Sequence, residues 1–436
     1  MGNTHNRNSQ NRSHTQSTHS DRDGQAFTSQ FSLSQFVGNL SGRSVASSQS
    51  VYSASRPWSR VSRRRWNEST LNNPLEASKT AWPVANKESV FLPEFPITTD
   101  LLQKDFEIKE TIAKGAFGEV HKVKKLSEGK EYALKVLNKS QVISESAVRQ
   151  VKEEARIQSA VGHHSFIAGA VARWQTKKRL YIVSEYIPGG ELLALLDRYG
   201  KLPEELVKIF VAEIAVALDF LHNAGVIYRD LKPENILLDS DYHIQLIDFG
   251  LSKWLSIGSR TTTLCGTLKY MAPEILSREP YGHAVDWWSL GVVLCRMLTD
   301  EYPTPALSKR ATKCEDTTDF TKESPAKVHS STNDNSKKHQ PAGTLPASAS
   351  ELSNAARGLL LRLLERDPRV RMRNLRQLQQ SAFYMGFNFE HVKAKKVTPK
   401  AILERYFPHG PPEKSGALKI TEQQEFTAFD GAVTCV

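Results

Sequence analysis

Arg229, Asp230, Lys232, Glu234 and Asn235 crowd between two apolar runs in VIYRDLKPENILLD (226–239), where a folding chain would otherwise bury leucine. Asp230 can accept a proton from an attacking hydroxyl. Asn235 offers an uncharged oxygen to a hard cation, and Lys232 can neutralise charge on a phosphoryl group in transit. Asp248 ends the apolar run QLIDFG (245–250) and supplies a second oxygen ligand at a strand end. Upstream, AKGAFGEV (113–120) sets Gly115 and Gly118 between two strand-like runs. Glycines let a backbone come close to phosphate oxygens and present N–H donors to them, although the same pattern taken alone is also a plain hairpin turn. Lys135, in YALK, lies within an apolar strand, a costly place for a cation without an anion nearby. Glu154 on the next helix is a protein partner that would make an ordinary ion pair; a phosphate is the functional alternative. Lys, Glu, Asp, Asn and Asp in this order behind a glycine loop are the parts of phosphoryl transfer, which needs positioning and charge neutralisation more than covalent chemistry.

The elements that must position these groups follow from the hydrophobic pattern. FEIKETIAKGAFGEVHKVKKL reads as a hairpin, EYALKVLNKS as a third strand and RLYIVSEYI as another. ESAVRQVKEEARIQSAV has helical spacing, and LVKIFVAEIAVALDFLHNAG is a strong helix stopped by Gly225. A β-rich part at about 104–185 followed by a mainly helical part predicts two lobes with a cleft between them.

Composition bounds the rest. The 436 residues suffice for two or three compact units, and no apolar run reaches transmembrane length. The first 25 residues are polar, so no secretory signal is expected. Cys265, Cys295, Cys314 and Cys435 lie far apart without metal-ligand spacing; they read as reduced thiols of a cytoplasmic or nuclear protein. The net charge of +11 suits an acidic partner but selects none. Residues 1–95 are rich in Ser, Asn, Gln and Arg and read as a disordered arm. Within it SRPWSRVSRRRW joins five arginines to Trp58 and Trp66, which suits an anionic membrane surface; a solvated tail is the plain alternative. Gly2 follows Met1, but Asn6 stands where a myristoylation motif has Ser or Thr.

These motifs together resemble a eukaryotic protein kinase, and in detail the AGC group of serine/threonine kinases, nearest to the orphan kinases related to the ribosomal-protein kinases. The likeness covers about 104–430. It implies an α+β, bilobal kinase fold: a domain at 104–383, divided at about 185/186, and an AGC-type C-terminal tail at 384–436 that wraps over the small lobe. It implies the cofactors ATP and Mg²⁺. By this resemblance Asp230 orients or deprotonates the substrate hydroxyl, Lys232 touches the γ-phosphate, and Lys135, held by Glu154, grips the α and β phosphates. Asn235 and Asp248 are the metal ligands. Ala113, Gly115, Phe117, Gly118, Val120, Ala133, Glu185, Ile187 and Glu191 line the nucleotide and hinge region, with the small Ser184 at the gatekeeper position. DWWSLG (286–291) follows an activation segment ending in APE (272–274), and Glu274 pairs with Arg371.

The resemblance also implies regulation and partners. RTTTLCGT (260–267) places Thr263 at the phosphorylated position, where Arg229 would grip the phosphate added by an upstream kinase. EFTAF (425–429) resembles a hydrophobic motif that docks on the small lobe, with Asp430 standing where relatives carry a phosphorylated residue. Protein substrates are expected, with basic residues upstream of the acceptor held by Glu191 and Glu234, while Arg296 should repel a second substrate arginine. No nucleic-acid partner and a monomeric state are expected. Three features depart from the pattern: Ala113 for the first glycine, Leu268 and Lys269 in the substrate loop, and the low-complexity insert 307–344 in place of a short helix. They keep a second class in view, a kinase-shaped ATP-binding scaffold with little turnover.

Overall fold

The computed structural model describes residues 86–97, 105–256, 258–306 and 340–412. The small lobe is one antiparallel sheet in the order β1-β2-β3-β5-β4. Its strands are β1 (Phe106–Gly115), β2 (Gly118–Lys125), β3 (Glu131–Asn138), β4 (Ala170–Gln175) and β5 (Arg179–Glu185). The predicted hairpin is β1–β2, closed by the Gly115–Gly118 pair. A Cβ on Gly118 would stand 1.8 Å from the Val136 carbonyl oxygen, so only glycine lets β2 lie this close to β3.

The helix expected over 145–161 is α3 (Val148–Val161); a further short helix, α2 (Lys139–Ser144), precedes it and begins within the run read as the third strand, and α1 (Asn86–Ser89) lies ahead of the sheet. The Asn138 side chain caps α2 by accepting from Ser140 N. Helix α3 buries Val151, Glu154, Ala155, Ile157 and Val161. Its C-terminal end is clamped to the start of β4. A Cβ on Gly162 would meet Gly169 Cα at 2.5 Å, and one on Gly169 would meet the Gly162 oxygen at 2.4 Å.

The large lobe is built on two helices buried almost all round, α5 (Glu204–Asn223) and α7 (Ala284–Thr299), with α4 (Leu192–Tyr199) and α6 (Pro273–Leu276) beside them. Gly225, at φ 77°, ends α5 as read from the sequence. Short pairs β6 (Val226–Ile227) with β9 (Lys253–Trp254) and β7 (Ile236–Leu238) with β8 (Ile244–Leu246) flank the loops that carry Asp230, Asn235 and Asp248. Glu213, buried in α5, accepts from Ile244 N at 2.9 Å and meets His243 Nδ1 at 2.5 Å, so the β7–β8 hairpin is pinned from inside the core. Arg371 and Glu274 meet as expected, Nη1 to Oε1 at 2.6 Å and Nη2 to Oε2 at 2.9 Å.

The structure corrects two boundaries. The expected disordered arm 1–95 includes residues 86–95, which form α1 and a turn that buries Phe91 and Phe95 completely; two aromatic side chains withdrawn from water repay the ordering of a short polar segment. The insert was expected to run to 344, but 340–344 is pinned by Gly343 N to Thr304 O and Thr304 N to Thr344 O, both at 2.8 Å. Of the tail expected at 384–436 to wrap over the small lobe, only the part to 412 is described, and that part packs on the large lobe. Helices α10 (Phe389–Lys393) and α11 (Pro399–Tyr406) bury Phe389, Val392, Ile402 and Leu403 in the large-lobe core, after α8 (Asn354–Leu363) and α9 (Leu375–Gln379). The arginine-rich arm, Gly2, most of the insert, and Phe426, Phe429 and Asp430 lie outside the described residues.

Candidate active site

The loop between β6 and β7 is held by a single acid. Asp286, fully buried in the first turn of α7, accepts from Tyr228 N at 2.9 Å and Arg229 N at 2.8 Å, and meets His222 Nε2 at 2.7 Å. Arg229 adopts φ 68° there, a left-handed conformation that non-glycine residues hold only when the surroundings over-determine it. The next residue, Asp230, is thereby aimed. Its Oδ1 accepts from Thr267 Oγ1 at 2.9 Å and its Oδ2 from Asn235 Nδ2 at 2.8 Å, while Lys232 Nζ stands 3.2 Å away. Lys232 also donates to Thr267 Oγ1 at 3.0 Å, so the carboxylate and the ammonium share one hydroxyl from the substrate loop.

Asn235 closes the 3-10 turn Pro233–Asn235, and its backbone oxygen accepts from Ile247 N at 3.0 Å. That bond lays Asp248 beside the loop. Asp248 is left-handed too, at φ 55°, with its half-exposed carboxylate accepting from Gly250 N at 3.1 Å. Tyr228 stands near both carboxylates: burial, then the charges of Asp248, Asp230 and Asp286, push its phenol well above the usual range.

From the small lobe, Lys135 Nζ donates to Glu154 Oε1 at 2.6 Å and stands 3.9 Å from Asp248 Oδ1. Burial alone disfavours the ammonium; the charges of Glu154 and Asp248 outweigh it and raise the lysine pKa, so the pair is ionic. The six residues read from the sequence form two groups, Asp230–Lys232–Asn235 and Lys135–Glu154–Asp248. No group of three or more His, Cys, Asp or Glu among the described residues could hold a metal by itself. One carboxylate and one amide oxygen suit Mg²⁺, which keeps waters and takes phosphate oxygens for the rest of its shell.

The remaining predicted residues fall around this centre. Ala113 pairs with Val120 across the glycine hairpin. Ala133 lies opposite Ser184, whose other sheet neighbour is Ala170. Phe117 turns into the small-lobe apolar cluster, half-buried. Glu185 opens the hinge and pairs with Lys130 at 2.7 Å; Ile187 follows it. A cleft of about 710 Å³ lies along the hinge, lined by Tyr186, Ile187 and Pro188, but includes none of Lys135, Asp230, Asn235 or Asp248. Glu191 begins α4 and bridges to Leu237. Glu234 has a buried Oε2 with no hydrogen-bond partner. Burial raises both carboxyls above their usual range, against the pull of Lys232. Arg296, expected to repel a second substrate arginine, pairs with Asp300 and, at 3.5 Å, Asp197, and lies over the Tyr302 ring. Tyr281 OH accepts from Arg229 Nη1 at 3.4 Å and donates to the Thr263 carbonyl at 2.6 Å, so one phenol links the expected phosphate grip to the expected phosphosite.

Sequence reasoning gave no role to Asp286, Thr267 or Tyr228. A lone carboxylate in the otherwise apolar AVDWWSLGVVLCRMLT was the signal for the first.

A five-stranded lobe over a helical one, with an ion-paired strand lysine facing a loop aspartate, defines a protein kinase. The model of the protein kinase domain matches residues 106–384, and the chain belongs to that family. Human ribosomal protein S6 kinase-related protein is 38% identical over 330 residues, covering 76% of this chain and 74% of the relative. The serine/threonine-protein kinase Sgk1 of Danio rerio is 37% identical over 299 residues, 68% of this chain and 63% of its own. The Arabidopsis thaliana serine/threonine-protein kinase AtPK1/AtPK6 is 35% identical over 299 residues, 68% and 58%. The protein is an AGC-group serine/threonine protein kinase, an ATP-binding transferase acting on protein substrates. Among the described residues, no helix is long and apolar enough to cross a membrane.

Proposed function

We propose that the chain transfers the γ-phosphate of Mg·ATP to Ser or Thr hydroxyls that have basic residues upstream. The acceptor oxygen bonds to the γ-phosphorus, the bond from that phosphorus to the β–γ bridging oxygen breaks, and ADP leaves. Asp230 orients the hydroxyl and takes its proton; Lys232 steadies the transferring group; Lys135, fixed by Glu154, holds the α and β phosphates. Asn235 and Asp248 would hold Mg²⁺, which supplies charge neutralisation on the phosphates. Ala113, Gly115, Gly118 and Val120 cover the nucleotide, and Glu185 and Ile187 offer hinge backbone to adenine.

What supports this reading best is the placement of Lys135, 2.6 Å from Glu154 and 3.9 Å from Asp248, in a cleft whose other wall carries Asp230 hydrogen-bonded to Asn235. Glu191 and the unpartnered Glu234 carboxylate give a basic substrate residue its counter-charge. Thr263 is the activating phosphosite, filled by an upstream kinase and read by Arg229 through the Tyr281 contact.

A peptide library phosphorylated with Mg·ATP tests the reading. Wild type selects Arg upstream of the acceptor, and Asp230→Asn loses about 10²–10⁴-fold in kcat with ATP binding retained. No transfer by the wild type, or full activity in Asp230→Asn, overturns it.

A further inference from the structure

Residues 88–97 lie on the small lobe like a bound peptide. Phe91 and Phe95 are both 0% exposed, edge to face with centroids 6.4 Å apart. They fill a groove walled by Leu137, Val142, Val151, Ala155, Leu180 and Ile182, contributed by β3, α2, α3 and β5. Polar contacts fix the backbone between them. Lys152 Nζ donates to Leu92 O at 2.7 Å and Val90 O at 3.1 Å, and Gln175 Nε2 to Glu88 O at 3.1 Å and Phe95 O at 2.5 Å. Gln175 N donates to Pro96 O at 2.8 Å, and Lys139 Nζ, itself bonded to Gln175 Oε1 at 2.6 Å, lies over the Phe91 ring. Glu94 is gripped by Lys152 at 3.0 Å and by Arg156.

The contacts on α3 that fix the segment flank Glu154 in sequence. Val151, Lys152, Ala155 and Arg156 take the segment, while Glu154 faces Lys135. We propose that residues 88–97 are a built-in positioning peptide: the Phe-Leu-Pro-Glu-Phe segment occupies a two-ring groove, and its occupancy holds Glu154 against Lys135 and so sets phosphoryl transfer. This rests on the kinase reading above. The other segment of the chain with two phenylalanines beside acids, Glu425 to Asp430, has the same chemistry, but two rings already fill the groove, so both cannot occupy it together.

The test is the full chain carrying Phe91→Ala with Phe95→Ala, compared with wild type, plus a synthetic peptide of residues 86–97 added in trans. The variant loses about tenfold or more in kcat/KM for ATP, and the peptide restores it saturably to within about twofold of wild type. A fluorescent copy of the peptide binds the variant and not the wild type, a readout independent of activity. A peptide with both phenylalanines replaced by alanine neither binds nor restores. A purely structural loss would not be rescued in trans. Phe95→Leu, which keeps an apolar filling, carries the same comparison at smaller amplitude if the double variant does not fold. An active wild type with an equally active variant overturns the inference, as does rescue by a peptide of residues 424–434 but not by 86–97. An inactive wild type overturns the kinase reading instead.

Discussion

Two ion pairs tie distant segments together, one in each lobe, and they are finished differently. In the large lobe Arg371 spends its donors completely: two bonds to Glu274 and one each to the carbonyls of Glu365, Arg366 and Ala284, with the side chain 0% exposed. In the small lobe Lys135 makes one hydrogen bond among the described residues, to Glu154, and stays 31% exposed toward the cleft. An ammonium has three protons to place and a guanidinium five. A charge whose donors are all satisfied by protein is scaffold, whereas one left with open donors in a cleft is reserved for a ligand anion. Glu234 extends the contrast to acids, since one of its oxygens is buried without a partner while Glu274 has both oxygens bonded.

Breaking the finished pair has the largest effect. Arg371→Ala leaves Glu274 buried without a counter-charge and costs about 3–5 kcal/mol, read as a fall in the urea midpoint with activity lost only through unfolding. The reserved pair responds the other way round. Lys135→Met costs at most about 2 kcal/mol of stability, because burial already pushes the Glu154 carboxyl upward and lets it take a proton. Its kcat/KM falls by about 10²–10³-fold. Equal losses of stability in the two variants would dissolve the distinction.

The smallest effect sharpens it. Glu234→Gln raises KM for arginine-containing peptides about tenfold and leaves KM for ATP unchanged. The pH profile carries the sign. Burial raises the Glu234 carboxyl above its usual 4.5, so as pH falls it is neutralised before an ordinary carboxylate would be. Peptide KM in the wild type therefore rises as pH is lowered toward that range and recovers as pH is raised; in Glu234→Gln this limb is missing.

Much of this was legible because phosphoryl transfer needs charged residues where apolar ones belong. Lys135 in a strand, Asp230 and Asn235 between apolar runs, and Asp248 at a strand end each break a local pattern, so they stand out. Glu274 and Arg371 were matched in advance through the family resemblance alone. Residues that serve the site by conforming to the pattern were not visible. Phe91 and Phe95 sit in a short stretch with two prolines, too brief for periodicity, and their partners come from four elements that meet only in the folded lobe. The ion pairs of Arg296 were not foreseen because its type was weighed and its neighbours were not, although Asp300 follows at helical spacing of four. The short helix α2 was also hidden, and α3 starts at Val148 rather than at Glu145, since Ser146 takes φ 56° between them without a glycine or proline to announce it.

The glycine clamp between Gly162 and Gly169 gives α3 a fulcrum. Glu154 lies eight residues from that point, about 12 Å along the axis at the helical rise of about 1.5 Å per residue. A swing of about 15° about the clamp would carry its carboxylate about 3 Å, more than enough to part a contact of 2.6 Å from Lys135. With so long an arm, a small tilt would be magnified at the Lys135–Glu154 contact, and any side chain added at either glycine would shift the pivot itself.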